Sequence, residues 1–322
     1  MMILPATSRR PEIIVPQTLK LRMINGHGEA AAMAWLEQLP ALLDDWCTRW
    51  NLRVLSGMPP LSFNLVLFAT SATADEVVLK LNLPSSEVHS EIEALAQAHG
   101  EGMVRLIDAD PSAALMMLER IAPGTVLQDV PMPDLESTAI GAEIMKRFWR
   151  RPERYDHLHT LRDWFRALFS YPIQYSAGAS PIPMDLVERA IMVADRLLSD
   201  PRDEVLLHGD IHHQNILQGS ERGWITIDPK GLIGERGYDI ATWMLNPWGI
   251  GALPDLEELM VARLELFSRE LGIDRQRLTE LAFMHSVLSM CWTLEDDGLQ
   301  DLTDNLRCST TLAGFLDGNA RS

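Results

Sequence analysis

Hydrophobic positions along the chain change period twice. From Gly28 the apolar residues Ala32, Trp35, Leu36, Leu39, Leu42, Leu43, Trp46 and Trp50 recur at steps of three and four, which predicts helix. Pro40 is expected to divide or kink it, and Pro5, Pro11 and Pro16 discourage a long helix in the weakly patterned residues 1–25. Short strand-like runs follow at Leu52–Leu55, Leu65–Ala69, Glu76–Leu81, Met103–Asp108 and Ala113–Leu118. One helix interrupts them, opened by Ser85-Ser86-Glu87 and striped by Val88, Ile92, Leu95 and Ala96. Pro123-Gly124 is a strong local breaker, and a domain boundary is placed there, giving domains 1–121 and 122–322.

Beyond that boundary the period is helical almost throughout. Stripes run through Ile140–Trp149, Leu158–Leu168, Leu186–Leu198, Leu253–Leu271, Leu278–Trp292 and Asp301–Leu316, with Pro172–Pro183 a loop. A short strand pair near 205–228 stands out among these helices. Strands gathered first and helices afterwards make an α+β pattern, not a doubly wound one.

The 322 residues, 47% of them hydrophobic, are enough for two domains with buried cores. A formal net charge of −17 argues against a nucleic-acid partner and is compatible with a cationic substrate. Cys47, Cys291 and Cys308 are too few and too far apart for a disulfide framework or a thiolate zinc site. No export signal follows Arg9-Arg10, and no run reaches the ~20 apolar residues that cross a bilayer. The expectation is a soluble cytoplasmic protein, monomeric or homodimeric, with no membrane partner.

The strand pair carries the chemistry. His208-Gly209-Asp210-Ile211-His212-His213-Gln214-Asn215 lies between Leu206-Leu207 and Ile216-Leu217, and Ile225-Thr226-Ile227 leads to Asp228-Pro229-Lys230. Any one of these polar residues is unremarkable in a turn. Together, a carboxylate, an amide and a second carboxylate at apolar strand ends suit deprotonation of a hydroxyl beside a metal-bound phosphate. Asp210 would accept the hydroxyl proton, while Asn215 and Asp228 would hold Mg²⁺, which prefers oxygen ligands.

Upstream, Lys80 is embedded in Val77-Val78-Leu79 and Leu81, an expensive place for an ammonium unless it is paired or reaches water. Glu91 falls on the inward side of the following helix and is the partner chosen for it, with Glu87 in reserve and Glu93 expected in solvent. Lys80 would hold the α- and β-phosphates of ATP. The segment Ser56–Asn64, rich in Gly, Pro and Ser, is a candidate phosphate cover, although it matches no glycine-rich signature.

The loop His208–Asn215 resembles the catalytic loop of the aminoglycoside phosphotransferase family, and Ile227-Asp228-Pro229-Lys230-Gly231 followed by Gly237-Tyr238-Asp239-Ile240-Ala241 is similar to its streptomycin 6-kinase and hydroxyurea phosphotransferase subgroup. The likeness runs from about Trp50 to Trp292. It implies a protein-kinase-like bilobal fold, with a small sheet-rich N-lobe and a larger, mostly helical C-lobe. It implies ATP and Mg²⁺ as cofactors, a small-molecule hydroxyl acceptor, adenine bound by backbone groups of Glu119 and Ile121 at the interlobe hinge, and a structural role for Asp239 as a cap on the loop. Gly209 stands where protein kinases carry Arg, which speaks for a small-molecule kinase. Trp292 with Glu295, Asp296 and Asp297 resembles the acidic segment by which such enzymes bind cationic acceptors, though an acidic helix end in solvent reads the same way.

Three rivals remain at this stage. A kinase of a metabolic alcohol or sugar would use the same constellation. Gly209-Asp210-Ile211-His212 can be read as a GDxH motif of metal-dependent phosphoesterases, with His208, His212 and His213 as ligands, but no Gly-Asn-His run follows. A non-catalytic pseudokinase would be expected to lack one of the polar groups present here.

Overall fold

The computed structural model describes residues 15–57, 64–71, 75–175, 180–297 and 302–318. The chain divides into two compact units, Met1–Val88 with Leu106–Arg120, and His89–Arg105 with Ile121–Ser322. The segment Ser56–Asn64 lies largely outside the described residues.

In the first unit, helices α1 (Gln17–His27) and α2 (Glu29–Arg49) precede strands β1 (Arg53–Gly57), β2 (Leu65–Thr70) and β3 (Glu76–Leu81). Strands β4 (Leu106–Asp110) and β5 (Leu115–Glu119) complete this unit; helix α3 (Ser86–Ala98), which comes between β3 and β4 in the chain, belongs from His89 onward to the second unit. The strands form one antiparallel sheet in the order β1-β2-β3-β5-β4. Trp35, Leu39, Leu43 and Trp46 of α2 pack with Leu19 and Met23 of α1 on one face of that sheet, against Leu67, Val77, Leu79, Leu81 and Met117. Residues alternate across a strand, so Lys80, between Leu79 and Leu81, faces the other side of the sheet.

Pro16 stands at the N-cap of α1, just before its first turn, where a missing N–H costs nothing. Pro40 does not divide α2, which is continuous from Glu29 to Arg49. Its ring lies on the exposed side, while Leu39 and Leu43 hold the buried face across it, which offsets the roughly 3 kcal/mol an interior proline costs.

The second unit holds β6 (Pro123–Val126), α4 (Asp134–Phe148), β7 (His159–Thr160), α5 (Leu161–Trp164), α6 (Arg166–Gln174), α7 (Met184–Ser199), β8 (Glu204–Leu207), β9 (Ile216–Gly219), β10 (Gly223–Thr226), β11 (Leu232–Glu235), α8 (Ile240–Trp243), α9 (Leu256–Leu271), α10 (Arg275–Asp297) and α11 (Thr303–Leu316). Residues from Leu278 to Cys291 of α10 are almost all buried, so this helix is the unit's apolar axis. A buried ion pair, Arg277 Nη2 to Glu235 Oε2 at 2.5 Å, braces its start, and a second pair, Arg263 Nη2 to Asp134 Oδ2 at 2.5 Å, ties α9 to α4. Removing one partner of the buried Arg277–Glu235 pair costs about 3–5 kcal/mol, because the other charge is stranded.

Strand β6 begins at Pro123 and pairs with β9. Three further expectations need correction. The expected strand pair around the loop is really two three-stranded sheets, β10-β9-β6 and β7-β11-β8, and the loop crosses from one to the other. Glu93 is not in solvent: it is 5% exposed, and its carboxylate accepts from the backbone N–H of His157 at 2.9 Å and from Gln97 Nε2 at 3.2 Å. Helix α6 also runs past Pro172 to Gln174, into the segment expected to be loop.

Candidate active site

The loop after β8 is fixed by groups that lie next to it in space and far from it in sequence. Leu206 and Leu207 are fully buried, and Leu207 pairs with Leu232 of β11, so the strand end cannot shift. The neighbouring segment 226–231 then runs alongside the loop. Lys230 N–H donates to the His208 carbonyl at 2.7 Å, and Ile227 N–H donates to the Asn215 carbonyl at 2.9 Å. Thr226 Oγ1 donates to the same Asn215 carbonyl at 2.9 Å.

His208 is the internal pillar of this arrangement. Its Nδ1 accepts from Asp210 N–H at 3.2 Å, which leaves the proton on Nε2, close to the Ile227 carbonyl at 2.9 Å and Thr226 Oγ1 at 2.7 Å. Burial pushes its pKa down to about 3, so the ring is neutral at pH 7. With both nitrogens engaged inside the fold, His208 is not a metal ligand. His213 packs against Trp243 with ring centroids 4.0 Å apart and planes tilted by 36°, and burial pushes its pKa to about 4. The histidine-ligated phosphoesterase reading therefore loses His208 as a ligand.

Asp239, at the end of the turn 236–239 that leads into α8, accepts from Gly209 N–H at 2.8 Å, His208 N–H at 3.2 Å and Trp149 Nε1 at 2.8 Å. Burial raises its pKa to about 6 despite these donors. The cap expected of Asp239 is thus present as geometry, and Trp149 is a partner the sequence gave no signal for.

Asp210 is held so that its carboxylate emerges from this frame, with its side chain 31% exposed. Its Oδ1 is 3.7 Å from His212 Nε2 and its Oδ2 is 4.0 Å from Lys230 Nζ. Burial raises its pKa, opposed by the charge of Lys230, by His212 and by a hydrogen bond from Asn215. Asn215 also donates from Nδ2 to the Asp210 carbonyl at 2.9 Å, which leaves the amide oxygen as its ligand atom. Asp228, whose charge also acts on Asp210, has φ +60°, a region that costs most residues about 1 kcal/mol or more and that Asp tolerates better than most. Gly231 follows with φ +66°; a β-carbon there would lie 2.2 Å from the Ser90 carbonyl oxygen. Helix α3 and the Asp228 segment touch through this glycine, and Ser90 Oγ donates to the Gly231 carbonyl at 2.5 Å.

Asp210, Asn215 and Asp228 are therefore brought together in the second unit, which also contains Glu91, 8% exposed on α3, and Ile121. Lys80 is in the first unit, 3% exposed between Val66 of β2 and Met116 of β5, and Glu119 ends β5 there. Trp292 is half-buried in an aromatic group, edge-on to Trp164 at 5.0 Å and to His285 at 5.8 Å. The side chains of Asp296 and Asp297 lie outside the described residues. The sequence motif assigns no role to Lys230, whose Nζ the structure places 4.0 Å from Asp210 Oδ2.

Among the described residues no helix is long and apolar enough to cross a membrane, and no cluster of three or more His, Cys, Asp or Glu could hold a metal ion. A hard cation such as Mg²⁺ fits the oxygen donors of Asn215 and Asp228 without such a cluster, because it is commonly held by one or two protein oxygens together with phosphates and water.

A choline kinase of Streptococcus pneumoniae, also solved in complex with AMP, superposes with a TM-score of 0.59 at 13% identity, covering 86% of this chain and 99% of the other. The fold is accordingly protein-kinase-like. A streptomycin 6-kinase of Streptomyces glaucescens is 30% identical over 293 residues, 90% of this chain and 94% of that one. A hydroxyurea phosphotransferase of Kitasatospora aureofaciens is 28% identical over 275 residues, 84% and 77% of the two chains. The sequence model described as aminoglycoside/hydroxyurea antibiotic resistance kinase matches residues 49–298. From the loop geometry and these likenesses together, the chain belongs to the aminoglycoside/hydroxyurea antibiotic resistance kinase family and is a phosphotransferase with an alcohol group as acceptor.

Proposed function

We propose that this enzyme transfers the γ-phosphate of ATP to a hydroxyl of a streptomycin-like aminoglycoside or of hydroxyurea. The observation that carries the reading is the Asp210 carboxylate, emergent from a loop cross-bonded at both ends, with Asn215 hydrogen-bonded to it and Asp228 beside it. Asp210 takes the proton of the acceptor hydroxyl as its oxygen attacks phosphorus. Asn215 and Asp228 hold Mg²⁺, which when bound draws charge from the phosphates and leaves them open to attack. Lys80, held by Glu91, takes the α- and β-phosphates, and the backbone of Glu119 and Ile121 takes adenine. Trp292 with Asp296 and Asp297 recognises a cationic acceptor, in keeping with the net charge of −17.

Phosphoryl transfer asks for positioning and charge neutralisation more than for covalent chemistry, and a rigid loop supports both. One scaffold hosts many substrates, so the acceptor is read from assay of candidate hydroxyls. The test is a screen of hydroxyl acceptors with MgATP, read by product mass, with Asp210→Asn as control. Streptomycin or hydroxyurea gaining one phosphoryl group supports the reading. Phosphorylation of only a metabolic alcohol or sugar would keep the chemistry and replace the substrate.

A further inference from the structure

Lys230 reaches Asp210 across bare backbone. Gly209 has φ +78°, and a β-carbon at that position would lie 2.6 Å from Leu232 Cδ1 and 3.3 Å from Lys230 Cβ. The stem of Lys230 thus starts over a residue that can carry no side chain, and its ammonium ends 4.0 Å from Asp210 Oδ2. Its own N–H is bonded to the His208 carbonyl at 2.7 Å, so the start of the side chain is fixed. At 4.0 Å the two charges attract without a direct hydrogen bond, unlike Arg277 and Glu235 at 2.5 Å. Lys230 is also 37% exposed, and an ammonium has three donors, so it can serve a further partner.

We propose that Lys230 is a catalytic residue whose ammonium hydrogen-bonds the oxygens of the transferring phosphoryl group beside Asp210. The inference rests on the kinase reading above. In the transfer the acceptor O–H bond breaks and its proton goes to Asp210. The acceptor oxygen bonds to the γ-phosphorus, and the bond to the β,γ-bridging oxygen breaks with its electron pair on the nucleoside diphosphate. Negative charge spreads over the three equatorial oxygens, between two carboxylates, Asp210 and Asp228. A cation on the Asp210 side offsets that repulsion where Asn215 and Asp228 do not reach. His212 lies on the other carboxylate oxygen, and burial favours its neutral form, so Lys230 supplies the permanent charge. A compact charge on a four-carbon stem can follow phosphorus from leaving to attacking oxygen.

The simpler alternative is that Lys230 only keeps Asp210 ionised. The two separate in Lys230→Met, Lys230→Gln and Lys230→Arg of the full chain, assayed with MgATP and streptomycin, hydroxyurea or water as acceptor, with circular dichroism to check folding. A phosphoryl contact predicts an unchanged thermal shift with MgAMP-PNP and a kcat lower by about 100-fold in the Met and Gln variants. It also predicts that this loss persists into alkaline pH and that Arg restores most of the rate. Wild-type kcat in either folded neutral variant, or recovery at alkaline pH, overturns the inference while leaving the kinase reading intact. If neither acceptor is used, the same comparison is made on basal MgATP hydrolysis. A wild type that neither binds nor turns over MgATP overturns the kinase reading, and this inference with it.

Discussion

The Asp239 carboxylate accepts the Gly209 N–H at 2.8 Å, thirty residues away along the chain, and so fixes the backbone one residue before Asp210. The loop is anchored by a buried acceptor that touches no reacting group. Asp239→Ala leaves the N–H groups of His208 and Gly209 and the indole N–H of Trp149 without their acceptor. Each buried donor left unmade costs about 1–3 kcal/mol, so urea unfolding should show a loss of at least about 2 kcal/mol. Asp239→Asn, which keeps one oxygen acceptor, should lose less. Equal stability of wild type and the alanine variant would remove Asp239 as the anchor.

Gly231 offers a sharper steric test. At φ +66° any side chain is strained, and a β-carbon would meet the Ser90 carbonyl oxygen at 2.2 Å, a backbone atom that cannot rotate away. Gly231→Ala should force α3 and the Asp228 segment apart, destabilising the protein by several kcal/mol, on the order of 3, and weakening Mg²⁺-dependent ATP binding in whatever fraction folds. Gly223→Ala is the control, since it has a similar φ of +67° and open space around it, and it should cost only about 1–2 kcal/mol.

The local parts of this architecture are legible in the sequence and the distant parts are not. Trp35, Leu39, Leu43 and Trp46 announce α2 because a helix repeats within a few residues. The motif from His208 to Asn215 is legible for the same reason: its residues lie on one loop. Glu93 was misplaced because its acceptor role depends on the backbone of His157, sixty-four residues away. The pairing of β6 with β9 and the contact of Trp149 with Asp239 likewise depend on chain segments that no local pattern connects. That Pro40 leaves α2 undivided was not legible either, because a proline's effect in a helix depends on which face is buried.

Stability should fall on mild acidification. His208, His213 and His285 are buried with pKa values near 3, 4 and 4, below the ordinary 6.5. Their neutral forms favour folding above pH 6.5, and that contribution is lost as pH falls towards 4, because the unfolded chain binds the protons first. Asp239 works in the opposite direction: its pKa of about 6 lets the native state take up a proton between pH 6 and about 4 that the unfolded state does not. Three histidines against one aspartate leave up to two protons in favour of the unfolded chain, with each proton contributing about 1.4 kcal/mol per pH unit. Thermal unfolding followed from pH 7 to pH 5 should show a falling Tm. A flat profile would mean that these rings are not buried and neutral.

The proposed role of the acidic end of α10 is tested through the acceptor. If Asp296 and Asp297 recognise a cationic acceptor as proposed, their joint replacement by Ala should raise the KM for streptomycin by roughly tenfold or more while leaving the KM for ATP near its original value. An unchanged streptomycin KM removes this segment from the acceptor site and leaves Trp292 as a packing residue.

The most direct test of the account is the mass of the product formed from MgATP and streptomycin by the wild type and by Asp210→Asn. The account predicts a singly phosphorylated streptomycin from the wild type. It also predicts a kcat lower by about 100-fold or more in the variant, with MgATP binding retained, because only the proton acceptor has gone. Full-rate phosphorylation by Asp210→Asn would contradict it.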